Sequence, residues 1–167
     1  MRLYIRILLF SLFMVTLSAI AGNDKVNFSG AWSLNETKSD LGEGRRGMVA
    51  LKMTIRQTGD SLAIERLSKR RSGEESTSIE KLTIDGKECT NTVFERLKKS
   101  TASRSKDGKT ITILSKMTFE REGEEIEIKS SEAWTLLEDG KILSIAYGST
   151  SPRGERKATY VYDKVSK

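Results

Sequence analysis

From residue 48 onward, oily and polar side chains take turns with a two-residue period that resets at short turns. Leu51, Met53 and Ile55 share one face, and Lys52, Thr54 and Arg56 the other. Ile111, Ile113, Ser115, Met117 and Phe119 alternate with Thr110, Thr112, Lys116 and Thr118, only Leu114 breaking the polar side. Ile126 and Ile128 alternate with Glu125, Glu127 and Lys129, and Leu143, Ile145 and Tyr147 with Ser144 and Ala146. Such alternation predicts strands with one buried and one wet face. No long stretch of this region repeats apolar residues three and four apart, as a helix would.

Turn signals fall where the alternation resets. Thr58-Gly59-Asp60, Asp85-Gly86, Asp107-Gly108, Glu122-Gly123-Glu124 and Asp139-Gly140 are hairpin corners, because Asp and Gly both tolerate positive φ. Arg71-Ser72-Gly73-Glu74 and Ser151-Pro152-Arg153-Gly154 read as slightly longer loops. The predicted strands are 28–34, 48–57, 61–70, 76–85, 88–97, 100–106, 109–120, 124–135, 141–149 and 155–164. Residues 36–47, with three glycines and no apolar stripe, form the one long irregular connection.

Loops this short pair each strand antiparallel with its sequence neighbour. The expected fold is all-β, an up-and-down antiparallel meander of about 8–10 strands. Closure into a barrel removes exposed edges; a β-sandwich is the alternative.

Composition changes this picture mainly at the N-terminus. Arg2 and Arg6 precede an uncharged apolar run from Ile7 to Leu17, and Ser18-Ala19-Ile20-Ala21 ends in small residues. That is the pattern of a signal peptide cleaved after Ala21, and it predicts a periplasmic or extracellular protein. Residues 22–167 then form one domain, since a single proline, Pro152, and no Ser- or Pro-rich run offer nothing for a linker. Cys89 is the only cysteine, which excludes a disulfide framework and reads as a small packed hydrophobe. The chain is formally +6, of which Arg2 and Arg6 leave with the leader, and the remaining charges are interleaved. Interleaving reads as a solvated surface with no contiguous basic face for nucleic acid; a peripheral contact with an anionic envelope surface is compatible with it.

The chain has no histidine, which removes Ser-His and Cys-His nucleophile pairs and histidine metal sites; a single cysteine also removes thiolate zinc clusters. Carboxylates such as Glu74-Glu75, Glu124-Glu125-Glu127 and Glu138-Asp139 fall on turns and wet faces, so no catalytic residue, metal or cofactor is predicted.

The predicted first strand carries Asn27-Phe28-Ser29-Gly30-Ala31-Trp32-Ser33-Leu34. Gly30-x-Trp32 resembles the Gly-x-Trp opening of lipocalins and fatty-acid-binding proteins, the calycins. There the glycine lets the strand bend, and the indole closes the barrel floor. At the other end, Thr159-Tyr160-Val161-Tyr162-Asp163-Lys164 resembles the last strand of fatty-acid-binding proteins, which commonly runs Thr-Arg-x-Tyr-Glu-Lys. The start, with Leu34-Asn35 and Lys38-Ser39-Asp40 following, is also similar to small exported lipocalin-like proteins of bacteria. Together the motifs cover some fifteen residues.

The resemblance implies a lipocalin-like barrel, monomeric and non-catalytic, holding a small apolar or amphipathic ligand inside. The family's ligand-binding arginine is replaced by Tyr160, so that carry-over reaches Tyr162 only. The family's helical pair is missing, since 36–47 is too short for it. Arg153 or Arg156 is the candidate to lie over Trp32, as an arginine does in lipocalins. Candidate ligand contacts are the aromatics Tyr160, Tyr162, Trp134, Phe119 and Tyr147, spread over different strands, with Gly30 and Trp32 as the structural signature. The competing expectation is a packed β module that binds another envelope protein through 36–47 or an exposed patch.

Overall fold

The computed structural model describes residues 25–42, 49–70, 72–121 and 123–166. The expected leader 1–21, residues 43–47 of the long connection and Met48 at the start of the expected second strand lie outside that set. Ten strands form: β1 Gly30–Leu34, β2 Ala50–Thr58, β3 Ser61–Lys69, β4 Glu75–Thr83, β5 Asp85–Val93, β6 Arg96–Arg104, β7 Thr110–Arg121, β8 Glu124–Leu137, β9 Ile142–Ser151 and β10 Gly154–Lys164. They make one antiparallel sheet in the order β4-β3-β2-β1-β10-β9-β8-β7-β6-β5. Because β1 pairs with both β2 and β10, the meander curls into a barrel rather than a sandwich.

Closure is incomplete at one seam. No backbone ladder joins β4 to β5. Instead the Asn91 amide spans the gap: the Lys81 N–H donates to Asn91 Oδ1 at 2.8 Å, and Asn91 Nδ2 donates to the Lys81 carbonyl at 3.0 Å. One side chain thereby satisfies the donor and the acceptor that a paired strand would otherwise supply.

The expected strands agree with those observed except at β5 and β6, which lie two to four residues earlier. Their corner is Phe94-Glu95, both at positive φ (51° and 64°), so the hairpin turns without a glycine to mark it. In β2 the register with β3 shifts between Ala50 and Lys52. Ala50 and Met53 are therefore buried, whereas Leu51, expected on the inner face, is only half-buried.

Where fatty-acid-binding proteins carry the helical pair that 36–47 is too short to hold, residues 36–38 form a turn and the chain then returns along β10. Asp40 and Thr159 exchange both backbone hydrogen bonds, at 2.9 and 2.7 Å. Gly42 seats this return at φ 66°, where a Cβ would sit 2.2 Å from the Lys157 carbonyl oxygen.

The core fills one end of the barrel. Phe28, Trp32, Met53, Ile55, Leu62, Ile64, Ile111, Ile113, Trp134, Leu143 and Ile145 are each at most 2% exposed. Side chains of this size contribute roughly 1.5–3 kcal/mol each on burial. Trp32 donates its indole N–H to the Phe28 carbonyl at 3.2 Å. The cation over its ring is Lys164, with Nζ 5.3 Å from the centroid, and not Arg153 or Arg156. Gly30 beside it takes φ 154°, a backbone conformation that residues with a side chain rarely adopt.

Candidate functional site

Toward the other end, the inward positions of the same strands change character. Ile64 gives way to Arg66 and Ser68 on β3, Leu82 to Glu80 and Ser78 on β4, and Ala102 to Ser100 and Lys98 on β6. On β7 Ile113 is followed by Ser115, and on β8 Trp134 is preceded by Glu132 and Ser130. Above this polar belt lies a cavity of about 420 Å³, within the range of small-molecule sites.

Its floor is a chain of four charges, Lys98–Glu80–Arg66–Glu132. Arg66 Nη2 donates to Glu132 Oε2 at 2.8 Å, and Arg66 Nε lies 3.4 Å from Glu80 Oε1 without hydrogen-bond alignment. Lys98 Nζ reaches Glu80 Oε2 at 2.7 Å, and the Trp134 indole N–H donates to Glu132 Oε2 at 2.8 Å. These charged side chains are between 2% and 16% exposed, so each must be paired to be tolerated. Burial opposes both the Glu132 carboxylate and the Arg66 guanidinium. Arg66 and Lys98 nonetheless hold the Glu132 carboxyl below the usual carboxylate range, and Glu132 and Glu80 raise Arg66. An ionised carboxylate held this way stabilises charge and is a poor proton donor at neutral pH.

One wall carries the tyrosines. Tyr160 and Tyr162 both point inward and are 8% and 1% exposed, while Val161 faces outward. Tyr147 and Tyr160 pack with ring centroids 5.5 Å apart. Burial pushes the Tyr160 phenol up to about 12, Arg156 partly offsetting it, and raises Tyr162 as well; both are neutral donors at physiological pH. The Arg156 guanidinium lies 5.8 Å from the Tyr147 centroid and donates from Nη2 to the Leu41 carbonyl at 2.9 Å. Toward the mouth the lining is apolar on one side, with Val49, Ala50, Val93, Phe94, Met117 and Ile128, and polar on the other, with Ser151, Arg153 and Glu155.

Of the aromatics singled out from sequence, Tyr147, Tyr160 and Tyr162 line the cavity. Trp134 lies beneath it in the packed core, 6.1 Å edge-on to Phe28. Phe119 is half-buried on the mouth side of β7, with the Arg96 guanidinium 3.8 Å over its ring. Cys89 is half-buried at the seam, its Sγ 3.7 Å from Thr83 Oγ1.

The floor charges escaped the sequence reading, although a signal exists. Arg66, Glu80, Lys98 and Glu132 occupy the same alternation phase as the oily residues of their strands. A charge at an inward position predicts a paired, buried ion.

On the outer face of β6–β10, a second, open depression of about 480 Å³ runs over Leu114, Ser131 and Gly148. Three of its lysines are already engaged, Lys99 with Glu88 and both Lys116 and Lys129 with Glu127.

The architecture is a ten-strand, nearly closed barrel like that of the fatty-acid-binding calycins. No family model and no curated protein matches the chain. A solved structure of zebrafish ileal bile acid-binding protein complexed with cholic acid does align with it. It has a TM-score of 0.54 at 14% identity, over 83% of this chain and 98% of that one. At that identity the likeness is one of fold.

Proposed function

We propose that this protein is an exported, monomeric, non-catalytic carrier or sensor that encloses one small amphipathic molecule in the mouth half of its barrel. The observation that carries the reading is the cavity of about 420 Å³, with an apolar wall on one side of its mouth and paired charges at its floor. That gradient suits a molecule whose polar end enters first, since each end then meets a matching surface. Tyr147, Tyr160 and Tyr162 supply phenol donors along the way. One neighbour in fold is a protein solved with cholic acid, which supports the same use of the interior. The signal-peptide pattern of residues 1–21, with its cleavage point after Ala21, supports the exported part of this reading.

A packed module docking on another protein would leave the barrel solid. The exposed large apolar residues Ile79, Leu97, Leu114, Leu137 and Val165 stand singly on β4, β6, β7, β8 and the chain end, and scattered apolar residues are ordinary surface. Native mass spectrometry of the purified protein, with solvent extraction of any bound molecule, tests the proposal. A stoichiometric, extractable small molecule is expected. An empty protein that binds no amphipathic probe would sink the carrier reading.

A further inference from the structure

The cavity is lined by hydroxyls that the fold itself does not use. On three strands a serine stands one inward position mouthward of a floor charge: Ser68 beyond Arg66 on β3, Ser78 beyond Glu80 on β4 and Ser130 beyond Glu132 on β8. Register extends the last of these into a row. Ser100, Ser115, Ser130 and Ser149 are partners in succession from β6 to β9, and the row ends on Arg156 of β10. Ser100 and Ser115 bond to each other at 2.8 Å. The hydroxyls of Ser68, Ser78, Ser130 and Ser149, with the phenols of Tyr160 and Tyr162, line the cavity and have no hydrogen-bond partner among the described residues.

Ser68, Ser78, Tyr160 and Tyr162 are between 1% and 8% exposed. Hydroxyls that deeply buried are costly to leave unpaired, so the cavity calls for an occupant that bonds to them. They also stand on facing walls. β3 and β8 are five places apart in the strand order and are bridged at the floor by Arg66 and Glu132, so Ser68 and Ser130 approach one occupant from opposite sides. The charges limit what it can be. At the floor two cations, Arg66 and Lys98, are matched by two carboxylates, Glu80 and Glu132. An anion placed above them meets both carboxylates and a cation meets both cations, each without a counter-charge of its own. Arg156 is held by the Leu41 carbonyl through Nη2, and its Nε is sealed from the cavity. Arg153 and Glu155, of opposite sign, are exposed at the mouth. A hydroxyl both donates and accepts, whereas a carboxylate only accepts and an ammonium only donates; a group of hydroxyls is therefore matched best by other hydroxyls.

We infer that the polar end of the occupant is an uncharged group bearing several hydroxyls, a sugar or a polyol, held between Ser68 and Ser78 on one wall and Ser130, Ser149 and Tyr160 on the other. This rests on the carrier reading above and narrows it to a ligand class. The apolar part of the molecule then lies against Val93, Phe94 and Met117 on the apolar side of the mouth.

Calorimetric titration with octyl glucoside, octanol, octanoate and octyltrimethylammonium, each at concentrations where it is monomeric, tests the assignment, because the chain is constant and only the head changes. Octyl glucoside is expected to bind about tenfold more tightly than each of the others. A Ser68→Ala/Ser130→Ala variant, which removes no bond within the fold, should erase most of that preference and leave octanol binding unchanged; the unchanged octanol affinity shows that the barrel is intact. Equal binding of the four probes, tighter binding of either ion, or a glucoside preference that survives the double substitution overturns the assignment while leaving a carrier of another ligand class. Methyl glucoside, which keeps the sugar and drops the chain, separates a free sugar from one carried on an apolar tail. Binding as tight as that of octyl glucoside keeps the hydroxyl assignment and overturns the amphipathic part of the carrier reading. If no probe binds, the molecule extracted from the native protein decides: an uncharged polyhydroxylated one supports the assignment and an ionised one overturns it. Failure of every probe in a protein that also holds no extractable molecule overturns the carrier reading and the assignment together.

Discussion

The two ends of the barrel are made by the same ten strands, and their inner faces differ within two residues of chain. On β7, Ile113 is sealed in hydrocarbon while Ser115, the next inward residue, belongs to the hydroxyl row. On β8, Trp134 is buried against Phe28 while Glu132 holds Arg66. The dry end closes because large side chains from all sides meet and leave no space. The wet end stays open because serines are too small to reach across it and the buried charges are held in place by their partners. Apolar packing is concentrated in the first end and the cavity in the second, and the Arg66–Glu132–Trp134 contact is the hinge between them.

Substitutions break or sharpen this contrast in graded steps. Removing the hinge has the largest effect. Glu132→Ala strips Arg66 of its closest partner and Trp134 of its acceptor, and should lower unfolding free energy in urea by about 3–5 kcal/mol. Next comes the pair on β7. Ile113→Ala at the dry end should cost about 2–5 kcal/mol, whereas Ser115→Ala, one inward position away, should cost about 1 kcal/mol by orphaning Ser100. Equal losses would show that the two ends are not differently packed.

Acid sharpens the contrast further. Glu132 titrates below its ordinary 4.5 in the fold, so the folded state binds fewer protons there than the unfolded chain. Its stabilisation is complete above about pH 4.5 and is lost as pH falls through the depressed folded value, with a slope of at most about 1.4 kcal/mol per pH unit. Glu132→Gln should therefore flatten the acid limb of a stability–pH curve and leave the slope above pH 6 unchanged. The smallest effect belongs to the seam. Asn91→Ala removes both bridging hydrogen bonds to Lys81, and should cost about 1 kcal/mol while speeding amide exchange at Lys81 more than at Ile113.

Much of the fold was legible because alternation is a local property. The phase of each strand, and the Asp-Gly corners between strands, are written in neighbouring residues. The β5–β6 corner was misplaced because Phe94-Glu95 turns without glycine, where strand pairing and the contact of Phe94 with Arg70, 5.9 Å away, hold a conformation that local preference disfavours. The inward direction of Tyr160 and Tyr162 was open in the sequence, since Val161 between them is as oily as its neighbours. The arginine expected over Trp32 proved to be Lys164, because Arg156 lies four inward positions further up β10, at the height of the cavity.

By itself the sequence determined that this chain would be an antiparallel meander with a wet and an oily side, because burial at a two-residue period leaves little choice of secondary structure. Only the tertiary structure decided that the oily side is hollow at one end, and which polar groups meet there. Arg66, Glu80, Lys98 and Glu132 come from four strands, and the hydroxyl row with Arg156 from five. Their proximity depends on register and curvature, which are set by the whole sheet closing on itself and not by any one segment.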